Sequence, residues 1–245
     1  MRSVYAAAAV LVAAFGAGVV AFVVRSGPPV IIMGPLPRRR APTLHEHGTG
    51  ESLPALHAAP AGPVSPAVAE ASGASFGERL AAAALERTRH RVKYDPSYRV
   101  MPYPGGDVPA GTGVCTDVIV RSYRAAGIDL QVRVHEDMKR NFGAYPKTWG
   151  LRAPDPNIDH RRVPNLRVFF ARNGKTLPAA RDPAGYAPGD VVTWKLPRGL
   201  SHIGIVTDRR ADSGRPLVVH NIGAGPKAKD ILHKWRMTGH FRYPE

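Results

Sequence analysis

Cys115 is the single cysteine in a chain of 245 residues, and its surroundings suit a nucleophile. The string Gly111-Thr112-Gly113-Val114-Cys115-Thr116-Asp117-Val118-Ile119-Val120 is a Gly/Thr-rich turn running into an apolar segment that reads as the start of a helix. A thiol in a first helical turn meets the positive end of the helix dipole and unsatisfied N–H groups, both of which favour thiolate. Far downstream, Ser201-His202-Ile203-Gly204-Ile205-Val206 sets a histidine at the head of a strand-like run. Val218-Val219-His220-Asn221 sets a second histidine on the next one. Cysteine, then histidine, then a polar orienter is the order of a thiol hydrolase whose parts arrive from separate elements. The competing reading makes Cys115 a small buried apolar residue and the histidines half-buried strand residues.

A second polar constellation lies between them. Asp155, Asn157, Asp159, His160, Arg161 and Arg162 fall within eight residues. Arginines there could meet ligand carboxylates, and the amide and acids could meet peptide N–H groups, as the wall of a binding groove would. A surface loop bonded to itself is the alternative. Asp155, Asp159 and His160 with His202 or His220 also make a carboxylate–imidazole metal reading conceivable. That reading leaves Cys115 unexplained and lacks close-spaced ligand pairs, so no metal and no cofactor is expected. His135-Glu136 is not a zinc motif, because the position four beyond His135 is Lys139.

These residues need elements to hold them. Ser75-Phe76-Gly77-Glu78 fits a capping box opening a helix that must stop before Tyr94-Asp95-Pro96. The Cys115 helix should run to about Ala126 and close on Gly127. Cys115, Ile119, Ser122 and Ala126 would share one of its faces. Further helices are predicted over Leu130 to Phe142 and over Pro164 to Arg172, the latter stopped by Asn173-Gly174. The pattern then turns to strands: Val191 to Trp194, His202 to Asp208, Pro216 to Ile222 and Gly239 to Tyr243. Helices followed by strands indicate an α+β domain, with N-terminal helices packed on a small antiparallel sheet. His202, Gly204 and Val206 share one face of their strand, and Val218 and His220 one face of the next. If the strands pair, the two histidines lie side by side, and the geometry required places them on the face that receives the Cys115 helix.

The chain begins outside this domain. Val4 to Val24 is 21 residues without a charge, between Arg2 and Arg25. Such a run can span a bilayer as a helix and exceeds the usual core of a cleaved signal, about 7–15 residues. Residues 1–25 therefore read as a signal anchor, with a cleaved signal peptide as the alternative. Either exports the remainder to the periplasm or cell envelope, anchored to the inner membrane through residues 4–24 in the first case. Residues 26–74, rich in Pro, Gly, Ala and Ser, read as a flexible tether. The domain takes 75–245. One cysteine excludes a disulfide scaffold. The net charge of +15 attracts polyanions, but no nucleic-acid motif or zinc-finger spacing is present, so nucleic acid is not the expected partner.

Several strings are familiar. Pro188-Gly189-Asp190-Val191-Val192-Thr193-Trp194, then Ser201 to Val206, then Val218-Val219-His220 resemble the C-terminal half of the NlpC-type cysteine peptidases. Those are papain-like enzymes that cut peptide or amide bonds in bacterial peptidoglycan. The resemblance implies a papain-like fold, with Cys115 as nucleophile, His202 as base and His220 as the third polar residue. It departs at the nucleophile: that family usually has an acidic residue before cysteine and Ser-Gly after it, where this chain has Val114 and Thr116-Asp117. A resemblance over about residues 76 to 244 is more extensive. Tyr94-Asp95-Pro96, Gly106-Asp107-Val108-Pro109, Gly113 to Val118, His135-Glu136-Asp137-Met138, Pro154 to Arg161 and Val219-His220-Asn221-Ile222-Gly223 are similar to an exported bacterial family, domain of unknown function 1287.

The expectation is thus an exported cysteine-dependent hydrolase of a peptide or amide bond in peptidoglycan or a related envelope substrate. Cys115, His202 and His220 would be catalytic. Asp155, Asn157, Asp159, His160, Arg161, Arg162 and Asn221 would contact a muropeptide. A non-catalytic envelope-binding module of the same fold is the rival from another class.

Overall fold

The computed structural model describes residues 73–245 and the backbone of two short strands, Val10–Ala14 (β1) and Val19–Val23 (β2). The chain divides into two compact units, Met1–Pro63 and Val64–Glu245. In the first, β1 and β2 pair antiparallel, Val10 opposite Val23. The spanning helix expected over Val4 to Val24 is therefore not what the described part of that run forms. Both segments are valine-rich, and β-branched side chains favour strands when packing does not decide otherwise. Among the described residues, no helix is long and apolar enough to cross a membrane. The predicted tether, with His45, His47 and His57, lies outside the described residues apart from positions 73 and 74.

The second unit opens as its sequence predicts. Helix α1, Phe76–Arg87, is capped by Ser75: its hydroxyl accepts the Glu78 N–H, and its own N–H donates to the Glu78 carboxylate at 2.7 Å. Strands β3, Lys93–Tyr94, and β4, Thr112–Gly113, form a short parallel pair leading into helix α2, Cys115–Ala125. Gly127, at φ 96°, supplies the left-handed backbone that ends it. Helices α3, Leu130–Asn141, and α4, Val163–Asn173, match their predicted bounds within a residue or two. Helix α2 is buried on more than one face. Every residue from Cys115 to Tyr123 is buried, because α1, α3 and the sheet enclose it on several sides.

Six antiparallel strands follow: β5 Lys175–Thr176, β6 Val191–Lys195, β7 Ser201–Arg210, β8 Pro216–Asn221, β9 Pro226–Lys229 and β10 Arg236–Arg242. Their order is β5-β10-β6-β7-β8-β9. The sequence reading found the four inner strands. It missed β5 and β9, whose Lys-rich segments have no apolar alternation and become strands by pairing with a neighbour. They are the sheet's edges, where short lysine-bearing strands discourage further pairing.

The register sorts the two faces. Thr193 opposite Ile203, Val191 opposite Ile205 and Ile205 opposite Val219 set these residues on one side. There Val191, Ile203, Ile205 and Val219 pack with Cys115, Ile119, Tyr123, Leu166 and Phe170 of the helices. On the other side Val192, Trp194, Val206 and Val218 pack against Tyr186, Ile231 and Leu232. The sheet is thus buried on both faces. The architecture is α+β, with helices laid on an antiparallel sheet.

Candidate functional site

Cys115 is the first residue of α2, 5% exposed, in the wall of a groove of about 410 Å³. Tyr94, Trp149, Arg162, Pro164 and Ser201 line the same groove. Tyr94, Trp149 and Leu200 are large exposed hydrophobics, so the thiol is approached past an apolar rim. Backbone amides of Ile203, Thr116 and Cys115 itself favour the thiolate. They lower its pKa, but burial, and after it the Asp117 carboxylate, outweigh them and push the thiol up to about 12. The resting group is a thiol, not the thiolate expected at a helix start.

Asp117 builds the turn that presents Cys115. Its carboxylate accepts the Val114 N–H at 2.6 Å and a two-pronged ion pair from Arg161 at 2.9 and 3.1 Å. Arg161 also donates to the carbonyls of Ser97 at 3.0 Å and Asp95 at 3.3 Å. Thr116 Oγ1 donates to the Arg161 carbonyl at 3.0 Å. Arg161 is thus a buried brace tying α2, the loop after β3 and its own segment. Its side chain touches the groove, but four donor contacts are already committed inside the protein.

His202 and His220 do lie side by side, with His202 Nε2 2.9 Å from His220 Nδ1. Both are buried and held uncharged. Burial, then His220, pushes His202 down to about 3. Burial, then Lys229 and Lys234, pushes His220 down to about 4. The face they occupy corrects the expectation. His202 stands opposite Trp194 in the register and stacks on it at 5.8 Å, with Trp235 edge-on at 5.8 Å. Trp194 belongs to the side turned away from the helices, whereas Cys115 packs with Ile203 and Ile205 on the helix side. The reason is apolar pattern: burying Ile203 and Ile205 against α2 sends their strand neighbours His202 and Gly204 to the opposite face. Among the described residues, no imidazole hydrogen-bonds the sulfur.

Asn221 obeys the same alternation. Its Nδ2 donates to the Gly113 carbonyl at 3.3 Å, so it faces the helix side and anchors the turn before Cys115. The other loop residues separate into braces and groove wall. Asp155 and Asn157 bond to each other, to Tyr98 and, through Asn157 Oδ1, to the Met101 N–H. Asp159 is fully buried, accepts the Asp155 N–H at 2.7 Å and faces His135 at 3.2 Å; burial pushes its carboxyl up. His160 is buried and pushed down to about 4, chiefly by desolvation. None of these four lines the groove. Arg162 does, with its guanidinium over the Trp149 ring at 4.3 Å and a buried Nη1 that has no partner among the described residues.

Trp149 and Tyr94 were missed as site residues. Trp149 has φ 72°, a left-handed backbone that non-glycine residues rarely adopt. Its sequence signal was a lone tryptophan in the polar loop Pro146-Lys147-Thr148-Trp149-Gly150. The Asp117–Arg161 pair had no signal, its members being 44 residues apart.

Fold and site together define an α+β, helix-on-sheet protein with one groove-lining cysteine at a helix start. The chain belongs to the family described as domain of unknown function (DUF1287), which it matches over residues 81–243. It is 52% identical over 164 residues to the uncharacterized protein YijF of Escherichia coli (strain K12), covering 67% of this chain and 80% of that one. Among solved structures it is similar to NlpC1 from Trichomonas vaginalis, at 16% identity and a TM-score of 0.40. That match covers 71% of this chain and 46% of that chain, so the present chain spans about half the length of the solved relative.

Proposed function

We propose that this protein is an exported, papain-like cysteine hydrolase acting on a peptide or amide bond of a cell-envelope polymer, peptidoglycan being the first candidate. One observation carries the reading. The chain's single cysteine opens a helix and lines an open groove. Cys115 attacks the carbonyl carbon, the carbonyl π electrons move to oxygen, and the free N–H groups at the start of α2 would receive the oxyanion. Collapse of this intermediate expels the amine, which takes from His202 the proton that the thiol gave up, and leaves a thioester, which water hydrolyses. Arg162, over Trp149, is one of the groove's cations and could meet a peptide carboxylate. His202 is the proton acceptor in this reading, and His220 holds its ring through the 2.9 Å contact. The mechanism requires the Ser201–His202 end of β7 to turn toward the groove when ligand enters.

A second reading, a non-catalytic envelope-binding module, is favoured by a different observation: the thiol and the histidine pair are uncharged and packed on opposite faces of the sheet. Full-length protein incubated with purified muropeptides, and mass spectrometry of the products, decides between them. Hydrolysis expects a product with one new amine and one new carboxylate, absent with Cys115→Ala. Full cleavage by a folded Cys115→Ala protein would falsify the thiol mechanism. Muropeptide binding without cleavage by the native chain selects the binding module.

A further inference from the structure

A second cavity, of about 610 Å³, lies beside the Cys115 groove, and its lining is basic. Arg89, His90, Arg91, Lys93 and Lys227 line it, together with Gly111 and Ala224. No Asp or Glu lines it among the described residues. Glu86, just outside, is 2.9 Å from Arg89 and 3.8 Å from His90. Arg91, Lys93 and Lys227 have no carboxylate partner among the described residues. Three exposed cations held together without counter-charge repel one another, and an anionic ligand relieves that repulsion.

The cavity shares a wall with the thiol groove. Strand β3 is two residues long, and strand alternation sends neighbouring side chains to opposite sides. Lys93 enters the basic cavity, and Tyr94 enters the Cys115 groove. Their Cα atoms are about 3.8 Å apart, as in any trans peptide. On either side of β4, Gly111 lines the basic cavity and Val114 lines the groove. Lys227 lies on β9, which pairs with β8, whose Asn221 grips Gly113. One polymer lying across the β3–β4 pair would reach both cavities.

We propose that the Arg91–Lys93–Lys227 cavity captures the anionic arm of the polymer whose amide enters the Cys115 groove. The ligand is a chain with carboxylates or phosphates at intervals, not a neutral peptide. The choice of this ligand rests on the hydrolase reading; the anion site itself does not.

The test measures binding of full-length protein to two probes, fluorescein-labelled poly-L-glutamate and fluorescein-labelled inorganic polyphosphate, by anisotropy at increasing salt. Preference between the probes separates a carboxylate from a phosphate source. Binding should weaken as salt rises, since exposed charges are screened over about 8 Å at physiological ionic strength. The triple variant R91E/K93E/K227E should lose at least about tenfold in affinity, because each such contact becomes a like-charge contact. The variant K175E/R181E/R198E, with the same change of net charge at exposed positions elsewhere, should lose less than about twofold on the same reasoning. Should the first triple variant unfold, as its circular dichroism would report, R91A/K93A/K227A replaces it and should still bind more weakly than the control. Equal losses in both variants, or no loss in the first, overturn the proposal in favour of diffuse attraction by net charge. Cleavage retained by Cys115→Ala sinks the hydrolase reading and leaves the anion site standing. Full probe binding by the cavity variant sinks the anion site alone.

Discussion

The thiol of Cys115 should be slow in the free protein, and the structure says by how much. Burial, followed by the Asp117 carboxylate, pushes it up to about 12. At pH 8 roughly one such group in ten thousand is thiolate, against about a quarter of an unperturbed thiol with pKa about 8.5. That is a deficit of about 2,000-fold. A more basic thiolate is also more nucleophilic, with a Brønsted slope of about 0.4–0.5, which over 3.5 pK units restores roughly 40-fold. The net expectation is a reaction with an aromatic disulfide about 50-fold slower than for an exposed cysteine, before any steric hindrance. The assay is release of the coloured thiol from that reagent, followed from pH 6 to pH 10, with the same protein in denaturant as the internal reference. The native rate should keep rising with pH across the whole range, and unfolding should remove the deficit. A native reaction that levels off below pH 8.5 would show a stabilised thiolate and refute the burial argument. If the hydrolase reading holds, a muropeptide ligand should accelerate Cys115 acylation above this resting rate, because ligand entry brings the proton acceptor.

Other perturbations follow from the same contacts. Asp117→Asn leaves the Arg161 charge buried against a neutral amide, and losing one partner of a buried pair costs about 3–5 kcal/mol; urea denaturation should show it, and an unchanged midpoint would mean that the brace carries no stability. His202 and His220 are held near about 3 and about 4, below the value near 6.5 expected unfolded. Between these values the unfolded chain binds more protons, so their contribution is full above about pH 6.5 and is lost as pH falls toward 4. A loss of up to about 3 kcal/mol per imidazole is expected over that window, and His220→Gln should flatten it; equal pH dependence in variant and native chain would place the acid sensitivity elsewhere. An added Cβ at Gly204 would stand 2.7 Å from Val218 Cγ1 and 2.9 Å from the Val219 carbonyl. Gly204→Ala should therefore lower stability by about 1–3 kcal/mol, the cost of overpacking, measurable as a reduced melting temperature.

Much of the domain was legible because its signals are local. The Ser75–Glu78 capping box, the Gly127 stop and the Asn173-Gly174 stop each act within a few residues, so they fixed helix ends whatever the helices pack against. The four inner strands announced themselves by β-branched runs. Edge strands β5 and β9 did not, since their pairing partners, not their own side chains, make them strands. In the polar loop, residue types alone could not separate Arg161, whose donors are used internally, from Arg162, whose Nη1 is free of partners among the described residues. Both are arginines in one string, and only the position of Asp117 across the fold distinguishes them.

The sequence by itself determined that one thiol sits at a helix start and that two histidines sit on neighbouring strands. It also determined that the two imidazoles can meet, because strand pairing with period two brings residues of matching parity together. Which face of the sheet they share was decided only by tertiary structure. Two faces of a sheet buried on both sides are nearly equivalent in a hydropathy pattern, and the choice turns on which set of side chains fills the space beneath α2. Ile203 and Ile205 fill it, so His202 is turned to Trp194 and away from Cys115. The protonation of all three groups was decided at the same level, because desolvation depends on what packs around a side chain and not on its neighbours in the chain.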